Sequence, residues 1–587
     1  MLEREPQHPV ALGRLVALEE AASNLKVVPD LLRRLAAVEP TDEVRLQVFV
    51  KLGRILLAGP APDLAAAAAA FEQALDLFPG DREALEALSR LRLELGETGP
   101  GLAVTRRLLE TTDEPRARAR LLARVGRYLV RAGDPRGAQL AFRQALTTCP
   151  TELGPLDELL RLLDRSHEAR SHDPRGHDVV GGRFVLDEVA HRLREALTAG
   201  ASADAEPDAA TDDAGVARAL ASVLGRRGRS AAAEAMLELG AWRAARAGAR
   251  AGLPLDWPGI FGIRPPPPPP PLPATLASAQ PTVTMTAGQP GRDRESVAVR
   301  RLGASLDPGR EELLFPSTVP PAFRRLCRAL GPLLLEEAGL ELAEQAQRFG
   351  PGRAAPAPAS KVVHAIWDEL AAVMAPGPFE LRLVRSSSLR VPPGRAGEGG
   401  SIGPAEVLPG KICTVVAWAD RLSLGGPPLV GDGPATPAQR AALRFAGGHT
   451  LFLARSGLGF ALVGPPGLLA AWLTAMIRPF VPDHLHPAAD PEEAERWAAR
   501  FARHLSRKAR HELAPFALEC STPLPIEPLR AGILEAANRV GLVASGSLAV
   551  CAELLTPSDL GPAPERAALF GFTASDDLDP LVAELRP

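Results

Sequence analysis

The chain has 587 residues, of which 46% are hydrophobic and 23% are charged, so it is long and apolar enough to form several folded domains. Its 67 lysines and arginines nearly balance 70 aspartates and glutamates, and the formal net charge of −3 excludes a whole-chain electrostatic field that would capture nucleic acid. The five cysteines lie far apart and form no CxxC pair, which argues against a disulfide framework and a zinc ribbon. Together with an N-terminal segment that lacks the apolar core of a secretory signal, these features predict a cytoplasmic protein.

Residues 1–165 contain a helical-hairpin pattern that repeats with a period of about 35 residues. Two copies are clear, and the small, aromatic and helix-ending positions recur in the same order in both. These positions are Gly53, Ala67, Phe71, Ala74 and Pro79 in the first copy, and Gly126, Ala138, Phe142, Ala145 and Pro150 in the second. Residues 81–115 form a third, degenerate copy without the glycine and the phenylalanine. This spacing resembles the tetratricopeptide repeat.

The physical basis of the pattern is helix packing. A small residue such as Gly126 or Ala138 lets the two helices of a hairpin approach closely, while Phe142 fills the gap to the neighbouring helix. Because one hairpin cannot bury its apolar stripe, hairpins must stack, and a stack leaves a concave face that commonly binds a peptide or a helix. The resemblance therefore implies a protein or peptide partner for this array. A generic α-helical bundle is the alternative fold.

Residues 166–250 continue the helical signal and are predicted to extend and cap the array. A polar loop in this region holds four possible metal ligands without a scaffold at ligand spacing, so we expect a solvated loop. The four residues are His172, Asp173, His177 and Asp178. Seven consecutive prolines from Pro265 to Pro271 mark a linker over residues 251–303. We expect this linker to be a stiff spacer between two halves, with docking of an SH3-like partner as the alternative.

Residues 304–587 are predicted to form an α+β domain. Alternating and β-branched residues in FELRLVRS and KICTVVAWADRL indicate strands, and a helix start signal at Thr436-Pro437 opens TPAQRAALRFAGGHTLFL. A later helix carries LEAANRVGLVASGSLAVCAELL. This order of elements resembles the zinc peptidases of the minigluzincin and HtpX-like group over much of Pro378 to Leu555. The predicted fold class is thus multidomain, an all-α solenoid of helical hairpins plus an α+β degenerate gluzincin-like domain.

The zinc-binding motif of that group is degenerate in this sequence. In the register that the resemblance gives, His449 keeps the first ligand position, Thr450 replaces the general-base glutamate and Leu453 replaces the second histidine. The third-ligand position falls on Leu534, and Asn538 stands at the position of the group's aspartate. Because leucine cannot coordinate a metal and threonine is no base near neutral pH, the resemblance implies an inactive domain with no metal and no other cofactor.

Two further histidine pairs are weaker candidates for a metal site. His484 and His486 are separated by one residue and lie between Asp483 and Asp490. The following Pro487 favours a solvated turn for this segment. His504 and His511 are expected two turns apart on one exposed helix face. An enzyme with a relocated metal site is the first alternative function, and its ligands would be His449 with His484, His486 or Glu535.

The apolar stretch from Leu458 to Ile477 raises a second alternative, a membrane-associated adaptor. Pro465-Pro466-Gly467 would break a spanning helix there, so we expect a buried segment and no membrane span. The sequence as a whole predicts a non-enzymatic, cytoplasmic scaffold for protein–protein interaction, in which a tetratricopeptide-like array is joined to an inactive peptidase-like domain. Nucleic acid is not expected as a partner.

Overall fold

The computed structural model describes residues 5, 7–22, 24, 26–58, 62–170, 179–202, 213–250, 312–331, 361–374, 379–384, 405–408, 413–424, 429, 434–462, 466–555 and 564–585. The chain folds into two compact units, Met1–Arg192 (unit 1) and Leu193–Pro587 (unit 2). The sequence predicted that residues 166–250 extend the array, whereas the structural division lies inside that segment. The loop around His172 and the linker over residues 251–303 lie outside the described residues.

Unit 1 is built from helices that pair along the chain. The helices are α1 (Pro9–Ala21), α2 (Val28–Val38), α3 (Asp42–Ala58), α4 (Leu64–Leu77), α5 (Arg82–Leu95), α6 (Thr98–Glu110), α7 (Pro115–Arg131), α8 (Pro135–Thr148) and α9 (Gly154–Arg170), and α10 (Val179–Ser202) crosses the division between the units. From α1 to α9 each helix packs against the next, and the pairs α3/α4 and α7/α8 are the most extensive. The degenerate third copy is also a hairpin, formed by α5 and α6.

Capping residues set the helix boundaries in unit 1. Asp63, Asp81 and Asp134 each precede a helix, and their side chains accept a hydrogen bond from the backbone N–H three residues later. At the other end, α5 stops at Gly96, whose φ of 79° is a left-handed conformation that glycine adopts without steric cost. These short polar caps allow a tight turn between consecutive helices, which is what a stack of hairpins requires.

The buried core of unit 1 runs from hairpin to hairpin. One apolar cluster draws on five consecutive helices, α3 to α7, through Val50, Phe71, Leu85, Leu108 and Leu121. A second cluster joins α1, α2 and α3. Because every hairpin buries its apolar face against the next one, the hairpins stack into an array, as the sequence predicted.

Unit 2 is mainly helical in its described part. Its helices are α11 (Asp213–Arg226), α12 (Ser230–Arg250), α13 (Lys361–Met374), α14 (Ala419–Leu422), α15 (Pro437–Ser456), α16 (Pro466–Ile477), α17 (Pro491–His504), α18 (Arg507–Glu519), α19 (Ile526–Ser545), α20 (Leu548–Leu554), α21 (Pro564–Thr573) and α22 (Leu578–Leu585). Residues 321–331 are also helical, and short 3₁₀ turns occupy Glu312–Leu314 and Gly459–Leu462. The hairpin of α11 and α12 packs through α12 against α20, α21 and α22.

A small three-stranded sheet lies in unit 2. Two of its strands lie in the segments that the sequence predicted as strands, whereas the strand at residues 405–408 was not predicted. The sheet consists of β1 (Phe379–Val384), β2 (Ala405–Leu408) and β3 (Cys413–Trp418), in the order β1-β3-β2. β1 is parallel to β3, with Phe379 opposite Cys413. β2 is antiparallel to β3, with Leu408 opposite Thr414. The sheet contacts α15 through β2 and β3, so it covers one side of that helix.

Helix α15 is the centre of unit 2. Every residue from Ala441 to Leu453 is buried, which means that the helix is covered on all sides. Its N-terminus is fixed by a capping box in which Thr436 and Gln439 exchange hydrogen bonds. Its most extensive packing is with α19, where a Cβ added at Gly448 would lie 2.8 Å from Ala544 Cβ. Helices α15 and α19, which carry His449 and Asn538, therefore approach closely.

Two helical regions of unit 2 bear on what the sequence predicted. The sequence placed His504 and His511 on one helix, which is wrong, because α17 ends at His504 and Ser506 caps the start of a separate helix, α18. The apolar stretch ending at Ile477 contains α16, a helix of 12 residues that is buried from Leu469 onwards. Among the described residues, no helix combines the length and the hydrophobicity that crossing a bilayer requires.

Candidate functional site

The two clear repeats share one helix contact. A Cβ added at Gly126 on α7 would lie 2.5 Å from the Phe142 ring on α8, and a Cβ added at Gly53 on α3 would lie 2.5 Å from the Phe71 ring on α4. Both phenylalanines are fully buried. Since ordinary carbon–carbon contacts fall near 3.5–4.0 Å, only glycine permits this separation of the two helices.

The remaining repeat positions lie around that contact. The alanines are completely buried, and they are Ala67, Ala74, Ala138 and Ala145. The prolines follow the second helix of each hairpin, where Pro79 is exposed and Pro150 is half-buried. The carbonyl of Pro79 accepts a hydrogen bond from Arg107, which ties the end of one hairpin to the next.

The degenerate repeat replaces the glycine–phenylalanine contact by a hydrogen bond. Ser89 on α5 and Thr105 on α6 stand 16 residues apart, the same spacing as Gly126 and Phe142, and both are fully buried. Their hydroxyl oxygens are 2.9 Å apart, and Thr105 Oγ1 donates to Gly101 O at 2.7 Å. The Tyr128 ring from α7 occupies the space beside Gly101, and its hydroxyl donates to Ser89 O. Sequence reasoning missed this pair, although the 16-residue spacing marked it.

The first helices of successive hairpins carry arginines at equivalent positions. Arg54, Arg90 and Arg127 each follow the helix-contact residue of their repeat by one position and have exposed side chains. Each arginine pairs with a glutamate on a first helix, and the pairs are Arg54–Glu83, Arg90–Glu86 and Arg127–Glu158. We call the surface that α3, α5, α7 and α9 share the first-helix face. The first-helix face therefore carries charged side chains that pair with one another at equivalent positions of successive hairpins.

In unit 2, His449 and Asn538 form a buried polar pair. His449 Nδ1 on α15 lies 3.0 Å from Asn538 Oδ1 on α19, and both residues are almost completely buried. Because the amide oxygen is an acceptor, Nδ1 donates. Burial lowers the pKa of His449 to about 4, partly opposed by the hydrogen bond to Asn538, so the imidazole is neutral at pH 7. The resemblance aligned these two positions from sequence, and the structure brings them into contact.

The other positions of the motif offer no metal ligand. Thr450 Oγ1 donates to Ala446 O at 2.7 Å within its own helix, and Leu453 is a buried apolar side chain. Leu534 is half-buried one turn before Asn538, and its neighbour Glu535 pairs with Arg539. A single neutral histidine with two leucines and a threonine does not fit zinc, which takes four donors in structural sites and three protein donors in catalytic ones.

The rival histidine pairs are structural or exposed. His484 and His486 are buried, so the predicted solvated turn is wrong: His486 Nε2 donates to Leu524 O at 2.8 Å, and its Nδ1 accepts from Ala488 N. His504 and His511 are exposed on their separate helices. In the part of the chain that the structure describes, no group of three or more histidine, cysteine, aspartate or glutamate side chains could hold a metal ion.

Comparison with known proteins assigns no family to the chain. No family model matches it, and no curated protein matches it. Among solved structures, it is similar to a MamA RS-1 ArsTM double mutant with 15% identity over 32% of this chain and 96% of that one, at a TM-score of 0.24. It is also similar to a tetratricopeptide repeat protein from Parabacteroides merdae, with 15% identity over 43% of this chain and 96% of that one, at a TM-score of 0.21.

Proposed function

We propose that the protein is a non-enzymatic scaffold that binds a protein or peptide partner through the first-helix face of unit 1. The observation that carries the proposal is the stack of hairpins itself. Its core is shared from α3 to α7, while the side chains at equivalent positions on α3, α5 and α7 remain exposed. A repeated surface of this kind presents the same chemistry at regular intervals along an extended ligand.

The proposal assigns no catalysis to unit 2. The support is chemical: the single histidine of the degenerate motif is neutral and hydrogen-bonded to Asn538, and the position of the general base is a threonine whose hydroxyl is engaged within its helix. We propose that unit 2 is a peptidase-derived domain that has kept the packing of α15 on α19 and lost the metal chemistry. On this proposal the protein acts in the cytoplasm and binds no nucleic acid.

Site-specific photo-crosslinking in the full chain tests the proposal. A photoreactive phenylalanine analogue replaces one exposed residue at a time: Arg90 on the first-helix face, Arg106 on the second-helix side of the same hairpin, and Lys508 on α18 of unit 2. The full chain is then irradiated in a lysate of the source cells. We expect protein adducts from position 90 and few from positions 106 and 508. Adducts that form only from position 508 would contradict the proposal and would indicate that unit 2 binds the partner.

A further inference from the structure

Helix α7 presents an unbroken stripe of arginines on the first-helix face. Its 17 residues include no aspartate or glutamate. Five of its arginines are spaced by three or four residues, which places them on one side of the helix. They are Arg116, Arg120, Arg124, Arg127 and Arg131. The helix is therefore strongly basic on this side, in a chain whose formal net charge is −3.

Few carboxylates from the neighbouring helices balance this stripe. Arg116 and Arg120 share a single carboxylate, that of Glu152, at 3.2 and 2.9 Å. Arg127 has a long ion pair of 3.8 Å with Glu158. Glu152 and Glu158 are the carboxylates of these ion pairs, and within the described residues neither Arg124 nor Arg131 forms a salt bridge. The stripe retains an excess of positive charge.

Arg124 has no salt bridge among the described residues, and it donates a hydrogen bond to a neutral hydroxyl. It lies at the middle of the stripe, partly buried, and Nη1 donates to Ser89 Oγ at 2.7 Å on the neighbouring first helix. Burial lowers the pKa of Arg124, and the nearby Arg90 lowers it further, because a second positive charge disfavours the protonated form. The carboxylate of Glu86 only partly opposes these two effects. A guanidinium held in this position gains from a carboxylate that approaches from solvent.

We propose that this stripe binds an acidic peptide segment, with carboxylate side chains of the ligand seated between Arg120, Arg124 and Arg127. The proposal rests on the proposed function, since it names the chemistry of the partner at the same face. Arg90 and Arg54 continue the basic positions along the array toward its N-terminus. The glutamates on the first-helix face repel a ligand that carries a negative charge on every unit, such as a phosphodiester backbone. A peptide with carboxylates separated by uncharged residues avoids this repulsion. The aromatic ring of Tyr128 is buried, so no base-stacking surface is offered there.

Fluorescence anisotropy with the full chain tests the charge requirement. The probe is a fluorescein-labelled peptide in which glutamate alternates with serine and leucine, and its counterpart has glutamine at every glutamate position. We expect the glutamate peptide to bind at least about tenfold more tightly than the glutamine peptide, and to weaken as salt is raised. Equal affinity for the two peptides, or no binding of the glutamate peptide, would overturn the proposal.

Two matched double variants locate the site. Arg120→Gln with Arg127→Gln removes two exposed charges from the stripe, and Arg106→Gln with Arg136→Gln removes two exposed charges from the second helices α6 and α8. We expect the first pair to weaken the glutamate peptide about tenfold and the second pair to leave its affinity unchanged. Equal effects of the two pairs, or tighter binding of a labelled single-stranded RNA that the first pair abolishes, would refute the acidic-peptide assignment.

The outcomes separate this inference from the proposed function. If the peptide fails to bind while photo-crosslinks still form at position 90, the array recognises partners but not through acidic chemistry. If the peptide fails to bind and photo-crosslinks form only from position 508 in unit 2, the proposed scaffold function of the array is itself wrong.

Discussion

Replacing Gly126 by alanine tests whether close helix contact holds the array together. The added methyl group would lie 2.5 Å from Phe142 Cε1 and 2.8 Å from two further ring carbons, about 1 Å closer than carbon atoms normally approach. Phe142 is fully buried, so its ring cannot move aside without displacing the side chains packed around it. Overpacking of this kind costs about 1–3 kcal/mol, and the better helix propensity of alanine returns up to about 1 kcal/mol. We expect a net loss of about 1–2 kcal/mol.

Thermal unfolding resolves this loss because the tryptophans report on one unit. All six tryptophans, the first of them Trp242, follow Arg192 in the chain, so tryptophan fluorescence follows unit 2, while far-ultraviolet circular dichroism follows all helices. For a unit of this size we expect Gly126→Ala to lower the dichroism transition of unit 1 by about 2–8 °C and to leave the fluorescence transition in place.

Gly13→Ala is the matched control, since Gly13 lies within α1 and nothing lies within 4 Å of a Cβ added there. It should leave unit 1 unchanged or stabilise it by up to about 1 kcal/mol. A double variant with Phe142→Leu should recover part of the loss caused by Gly126→Ala. Equal stability of Gly126→Ala and Gly13→Ala would refute the packing argument.

Three further predictions concern unit 2. Burial raises the pKa of Glu238 to about 7 from 4.5, so the folded state holds a proton that the unfolded state releases. Stability should therefore fall by up to about 3 kcal/mol as pH rises from about 4.5 to about 7, and Glu238→Gln should flatten this dependence in fluorescence-monitored urea unfolding. The lowered pKa of His449 acts in the opposite sense, because its imidazole is protonated below about pH 6.5 in the unfolded chain but only below about pH 4 in the folded chain. Stability should therefore fall as pH drops from about 6.5 to about 4, and it should fall more for the wild type than for His449→Gln. Elemental analysis of the purified full chain should find no stoichiometric zinc, and a zinc content that His449→Ala abolishes would contradict the loss of the metal site.

The helical array could be predicted from sequence because its signal is local. Gly126 and Phe142 are 16 positions apart in one hairpin, and both the contact and the turn between them are encoded within that stretch. The degenerate copy escaped full interpretation because Ser89 and Thr105 look like surface residues until their hydroxyl groups are seen to satisfy each other. A polar pair can fill the place of an apolar contact only when every hydrogen bond is made, and composition does not reveal that.

Contacts between distant segments could not be predicted in this way. His484 and His486 read as a solvated turn because their partners, such as the carbonyl of Leu524, lie 38 residues further on. The break between α17 and α18 depends on a single capping residue, Ser506, in an otherwise helical pattern. The hydrogen bond between His449 and Asn538 was not predicted, since the two residues are 89 positions apart.

Contacts between distant segments also place α12 in unit 2. They change the expected result of cleaving the proline-rich segment. Glu238 on α12 accepts hydrogen bonds from Ser547 Oγ and from Leu548 N at 3.1 Å, and so caps α20 from a distance of 310 residues in sequence. Trp242 Nε1 donates to Glu553 at 2.9 Å, and Arg229 pairs with Asp579 at 2.8 Å.

These contacts join the helix that precedes the predicted spacer to the C-terminal helices of unit 2. Limited proteolysis should therefore cut first between residues 251 and 311, where composition favours an exposed chain, yet the two fragments should elute together in native size-exclusion chromatography and separate only in denaturant. Glu238→Ala with Trp242→Ala should let the nicked fragments separate, whereas Ser222→Ala, at an exposed position on α11, should not. If the wild-type fragments separate in native buffer, α12 is not held by the C-terminal helices, and the boundary at residue 250 that the sequence suggested is the better division of the chain.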